Sequence, residues 1–183
     1  MRYSIFSVVD HYPDRSRSVG ALYGQILDEI ALAERLGFDT YFLAEHHFHE
    51  YGVVPSPPVL LAAAAERTSR IRLGTAVAVL PFHEPVRLAE EVAMLDQLSG
   101  GRVALGVGSG YLAHEFAGFG VGPWEKRARF DEALAVLEQA LGGEPFSHHG
   151  RYFHYQDLRL NVQPLQRPVP LWVASSTTRR RTT

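Results

Sequence analysis

AEHHFHE, residues 44 to 50, places three imidazoles and two carboxylates in seven positions. Such groups hold catalytic metals, exchange protons near neutral pH, or line a flavin or substrate pocket. A polar loop whose histidines only hydrogen-bond and cap is the plain alternative. His47 and His49, two apart with Glu45 beside them, form the His-x-His pattern of barrel metallohydrolases, with His83 and His114 as further candidate ligands. Later strand ends do not supply Asp or His consistently, which weakens the metal reading. A second stretch, GVGSG at Gly106–Gly110, follows an apolar run, but Ala113 stands where a dinucleotide fingerprint needs its third glycine. What it permits is close approach of backbone to a flat ligand, with the Ser109 hydroxyl at hand. A third, SSTT at Ser175–Thr178, offers hydroxyl and backbone donors where a helix would begin, a cradle for phosphate.

The elements that must position these groups alternate in type. Compact apolar or β-branched runs at Tyr3–Val9, Thr40–Ala44, Ile71–Leu80, Arg102–Val107 and Val169–Ala174 read as buried strands. Between them, Leu22, Ile26, Ile30, Ala33 and Leu36 repeat at helical spacing, with Gly37 as the stop. Ser56 with Pro57 and Pro58 opens a helix over Val59–Thr68; others run over Val86–Leu98 and Arg127–Leu141, each ended by two glycines. Buried strands joined by single helices make parallel βα units, either a doubly wound sheet or the start of an eight-stranded barrel. Residues 144–168 read as an irregular or hairpin excursion, and 111–125, with Phe116, Phe119 and Trp124, as a lid or as aromatics folded back on the surface. In both architectures ligands meet the carboxyl ends of strands, where all three candidate stretches fall.

Composition narrows the classes further. The 183 residues, 46% hydrophobic, suit one domain over residues 1–183. Eighteen basic and 20 acidic residues give a net charge of −2 with no basic stripe, which argues against nucleic acid and anionic membranes. With no cysteine, disulfides, thiolate nucleophiles and Cys-type zinc sites are excluded. No apolar run is long enough for a signal peptide or a membrane span, so the expected location is cytoplasmic.

From Leu43 to Tyr111 the motifs together resemble the bacterial luciferase-like flavin monooxygenases: EHHF after the second strand, GTAVAVLP in the third, HEPVR at a helix start, then LDQLSGGR and GVGSGY. The resemblance extends more loosely to PLWVASS. It implies a TIM-type (β/α)₈ barrel, here truncated after about five strands, and a homodimer using reduced FMN and O2 to oxidise a small organic substrate such as an aldehyde. A flavin reductase or other NAD(P)H-linked source would supply the flavin, and some relatives use F420 instead. By the same resemblance His46 is the catalytic histidine, Glu45 its functional partner, and His47 lies nearer the subunit interface. Ala76 and Val77 match a non-prolyl cis peptide beneath the flavin ring. Gly108, Ser109 and Gly110 contact the cofactor, and Ser109 stands where the family often has an arginine that holds phosphate. Ser175, Ser176 and Thr178 would then hold it. Phe6, Phe48, Leu80, Phe82 and Tyr111 are candidate apolar walls. Two alternatives stay open: a non-catalytic flavin-binding or oligomeric barrel fragment, which the missing strands favour, and the metal-dependent barrel hydrolase of the His-x-His pattern.

Overall fold

The computed structural model describes residues 1–12, 17–50 and 52–174. In chain order its elements are β1 (Ser4–Ser7), α1 (Val19–Arg35), β2 (Thr40–Leu43), α2 (Pro57–Ala65), β3 (Arg72–Val79), α3 (Pro85–Ser99), β4 (Val103–Gly108), α4 (Ala113–Gly118), α5 (Lys126–Gly142), β5 (Phe146–His149), β6 (His154–Leu158) and β7 (Leu171–Val173). Five strands form one sheet in the order β1-β2-β3-β4-β7, every neighbour parallel. A doubly wound sheet reverses its order at a switch point. This one follows the chain without reversal, so of the two architectures the sequence leaves open it is the barrel-type arc that forms. The 144–168 excursion is an antiparallel hairpin, β5 with β6.

Local sequence explains the ends of these elements. Ser18 caps α1 by accepting from the Ala21 amide at 3.1 Å, and Gly37 leaves the helix at φ +83°, a conformation only glycine takes without strain. Pro85 opens α3, and Gly100 closes it in the left-handed conformation. Segment 111–125, read as a lid or as aromatics folded back on the surface, contains the short helix α4, whose Phe116 is buried.

Successive strand residues face opposite sides of the arc. Tyr41, Leu43, Leu73, Val103, Leu105 and Val107 pack into the main core with the helices. Their alternates point inward, where Phe42 and Trp172 meet edge to face at 5.9 Å. These rings come from strands separated by β3 and β4. The middle strands are small on that face: a Cβ on Gly74 would lie 2.3 Å from the Phe42 ring, and one on Gly106 would lie 2.2 Å from the Thr75 carbonyl oxygen.

The amino end of the sheet is stitched by three charged side chains. Both Glu34 oxygens accept amides from the turn before β3, those of Ser69, Arg70 and Ile71; burial opposes its ionisation, but these bonds outweigh that and hold its pKa below the usual carboxylate value. Buried Asp96 accepts from the Val103 amide and from both Gln166 groups, tying α3 to the segment that leads into β7. Arg102 donates to Thr68 Oγ1 and to the carbonyls of Ala65, Thr68, Ile71 and Ser99, satisfying the ends of two helices at once. Arg102→Met strands those carbonyls. It should lower the unfolding free energy by about 2–4 kcal/mol, read as a reduced urea midpoint at unchanged slope.

Candidate active site

The carboxyl ends of β1 to β4 and β7 converge on a cavity of about 460 Å³. Its walls are mostly small and apolar: Val8, Ala44, Val79 and Ala174 stand beside Glu45, His46, Ala76, Val77, Gly108, Ser109 and Gly110. All the site residues expected from sequence that fall among the described residues therefore share one cavity. Ser175, Ser176 and Thr178 lie outside the described residues. Of the expected apolar walls, Phe6 and Tyr111 line the cavity; Phe48, Leu80 and Phe82 do not, because Leu80 is core and the two phenylalanines pack around His47.

The Ala76–Val77 peptide bond is cis, and the β3–β4 register shifts between Thr75 and Ala78 at the same place. Thr75 closes the gap by donating from Oγ1 to the Gly106 carbonyl at 2.7 Å and accepting from its amide at 3.0 Å. A Cβ on Gly108 would lie 2.5 Å from Val77 Cγ2, so glycine is what lets the two strands meet here.

The structure redistributes the partners within AEHHFHE. His46 has a partner from outside the motif. Its Nδ1 lies 3.1 Å from Oε1 of Glu115, which also accepts the His47 amide at 2.9 Å. Glu115, from α4, is 1% exposed and lines the cavity too. It was not legible in sequence because it lies 69 residues from His46 within a segment that looks like loop. Glu45 instead accepts from His47 Nε2 at 2.9 Å, His83 Nε2 at 2.8 Å and the Val79 amide at 3.0 Å. His114 Nε2 donates to the His47 carbonyl, and its ring lies against that of His49. Among the described residues no group of three or more His, Asp or Glu side chains is placed to hold a metal ion. None of their helices is long and apolar enough to cross a membrane.

Backbone supports the His46 ring directly. Gly52, at φ +82°, packs so close that a Cβ would lie 2.9 Å from His46 Cβ and Cδ2. Gly118 does the same for Phe48, whose ring covers α4. Val9 and Phe48, which follow β1 and β2, hold φ near +60° without being glycine, a conformation costing about 1–3 kcal/mol each.

Burial opposes ionisation of Glu45, but the bonds from His47, His83 and Val79 and the charge on His83 bring its pKa down to about 2. Burial also opposes the charge on His83, and Glu45 overcomes it, raising the His83 pKa above its usual 6.5. The Glu45 contribution to stability is full above pH 4.5 and fades as pH falls toward 2; the His83 contribution is full below pH 6.5 and fades as pH rises through its elevated value. The pair should stabilise most between pH 4.5 and 6.5. In Glu45→Gln, urea unfolding should show a loss of about 2 kcal/mol near the middle of that window, shrinking on both sides of it.

Known proteins share this arrangement of chain. The profile of luciferase-like monooxygenases matches residues 1–182. The oxygenase component of a flavin-dependent trigonelline monooxygenase from Acinetobacter baylyi is 30% identical over 178 residues, 96% of this chain and 49% of that protein. An F420-dependent glucose-6-phosphate dehydrogenase from Beutenbergia cavernae is 39% identical over 160 residues, 82% of this chain and 46% of that one. The crystal structure of monooxygenase RslO1 from Streptomyces bottropensis superposes with a TM-score of 0.92 at 35% identity, covering 97% of this chain and 54% of that structure. The chain spans about half the length of the curated relatives it matches. With a family match running from its first residue almost to its last, the chain belongs to the luciferase-like monooxygenase family.

Proposed function

We propose that this chain carries the flavin-binding and catalytic face of a monooxygenase that uses reduced FMN and O2 to oxidise a small organic substrate such as an aldehyde. The observation that carries this reading is the His46–Glu115 pair, set on an apolar cavity lined by the Ala76–Val77 cis peptide and the glycines of β4. These residues fit a flavin. A flat ring needs backbone and small side chains close to its face, and Ala44, Ala76, Gly108 and Ala174 provide them.

Bound reduced flavin would supply the electrons that activate O2. The protein's own residues supply the rest. A carboxylate at Glu115 keeps the His46 proton on Nδ1, so that proton exchange with a ligand runs through Nε2. Glu45 has a positioning role, since its oxygens are occupied by His47, His83 and Val79. The apolar walls exclude water from the reacting groups. Ala76, Val77, Gly108, Ser109 and Gly110 contact the cofactor in this reading, and Ser175, Ser176 and Thr178 hold its phosphate end. The name of the trigonelline relative, an oxygenase component, supports a separate flavin reductase or other NAD(P)H-linked supply. One domain per chain, a homodimer and a cytoplasmic location complete the proposal.

The F420-dependent relative supports F420 as the second cofactor reading. The open arc of five strands supports a flavin-binding fragment without turnover.

One set of experiments separates these. FMN and F420 are each titrated by fluorescence, and oxygen-dependent product is then followed with reduced FMN and an aldehyde series. The monooxygenase reading expects tighter FMN binding and a product that falls about 10²–10⁴-fold in His46→Ala with FMN affinity retained. Unchanged turnover in that variant would sink the role given to His46. Binding of FMN without any product identifies the fragment reading, and selective binding of F420 identifies the other.

A further inference from the structure

We propose that Phe42 and Trp172 form the floor of the cavity and set the length of substrate that it accepts. Strand alternation places them there. Ala44 and Ala174 line the cavity, and each extends a ladder: the Ala44 amide donates to the Ser7 carbonyl at 3.0 Å, and the Ala174 amide to the Val107 carbonyl at 2.9 Å. Residues two apart on a strand share a face, so Phe42 and Trp172 stand on that same face one layer deeper, about 7 Å below. Register holds the layer together. Phe42 lies between Phe6 and Gly74, and Trp172 lies opposite Gly106.

The two rings meet because the strands between them carry glycine at this level. A Cβ on Gly74 would lie 2.3 Å from Cδ1 of Phe42, so any side chain there would displace the ring. Phe42 and Trp172 instead close edge to face at 5.9 Å, spanning β3 and β4. Phe6, from β1, lines the cavity and continues the layer on its other side. Above the rings the walls are small, among them Val8, Ala44, Gly108 and Ala174. Small walls over a floor of large rings make a shallow space. It holds a flat or compact ligand across the mouth and stops an extended chain from running down into the arc. Neither floor residue has an ionisable group, so both act on selectivity by shape alone.

That these rings select a substrate rests on the function proposed above; their limit on ligand length does not. The test titrates wild type, Phe42→Ala, Trp172→Ala and Trp172→Phe by calorimetry with straight-chain alkanols from butanol to decanol, unreactive analogues of an aldehyde series. Wild-type affinity rises with length and then levels where the chain meets the floor. In both alanine variants it goes on rising beyond that length, about fourfold for each further methylene buried. Trp172→Phe keeps a ring at the floor and gives the wild-type profile. Urea midpoints identify a variant that does not fold; Phe42→Leu and Trp172→Leu, which remove less volume, then carry the same comparison with a smaller shift. Oxygen-dependent turnover of the matching aldehydes moves to longer chains in the same variants. Lengthened alkanol profiles without product from any aldehyde keep the floor and sink the monooxygenase reading. Profiles of folded variants that coincide with wild type, a wild type that gains with every methylene up to decanol, or no binding of any alkanol to any of these proteins overturns the proposal.

Discussion

A carboxylate with almost no exposure sets the terms for the site. Glu45, 2% exposed, stands where β2 ends, and ionised it costs several kcal/mol unless donors surround it. It finds three: the imidazoles of His47 and His83 and the amide of Val79, from the loop after β2, the turn before α3 and the end of β3. The carboxylate can be buried only if those three segments hold their relative positions. Glu45 therefore fastens these segments to one another. Its energetic demand fixes the wall on which His46 is mounted.

Glu115 repeats the device one step further out. It accepts from His46 Nδ1 and from the His47 amide, so α4 is drawn onto the loop that carries both histidines. The rings of His47, Phe82 and Phe119 fill the space behind that loop, with His47 and Phe119 at 4.7 Å and Phe82 stacked on Phe119 at the same distance. Adjacent histidines thus take opposite tasks because each points to a different carboxylate. His47 is enclosed by aromatic rings and serves the frame, while His46 lines the cavity.

Much of this was legible in the chain and some was not, for identifiable reasons. Strand and helix positions follow from local periodicity, and the βα alternation restricted the sheet to two topologies. The choice between them depended on strand order, which no local pattern encodes; the family resemblance made that choice, and the observed order agrees with it. The grouping of Glu45, His46 and the glycines of β4 was legible because carboxyl ends of parallel strands share one face. The partner of His46 was not: a single glutamate in a segment of glycines and aromatics has no periodic signal, and the contact closes over 69 residues. The pairing of His83 with Glu45 was hidden in the same way, since His83 was equally readable as a metal ligand.

The two ends of the sheet use charge differently. At the amino end, Glu34, Asp96 and Arg102 bind mainly backbone groups, which are present whatever the side chains nearby, so these residues fix the chain path and nothing else. At the carboxyl end Glu45 and Glu115 bind imidazoles as well as amides. Exchangeable protons, close-packed glycines and backbone held at φ near +60° at Val9 and Phe48 gather on this face. Such features cost stability, and the bonds at the opposite end make that cost bearable without touching the cavity. The separation explains why a change at Arg102 should act on folding alone, while the same loss of hydrogen bonds at Glu45 would also move the wall that holds His46.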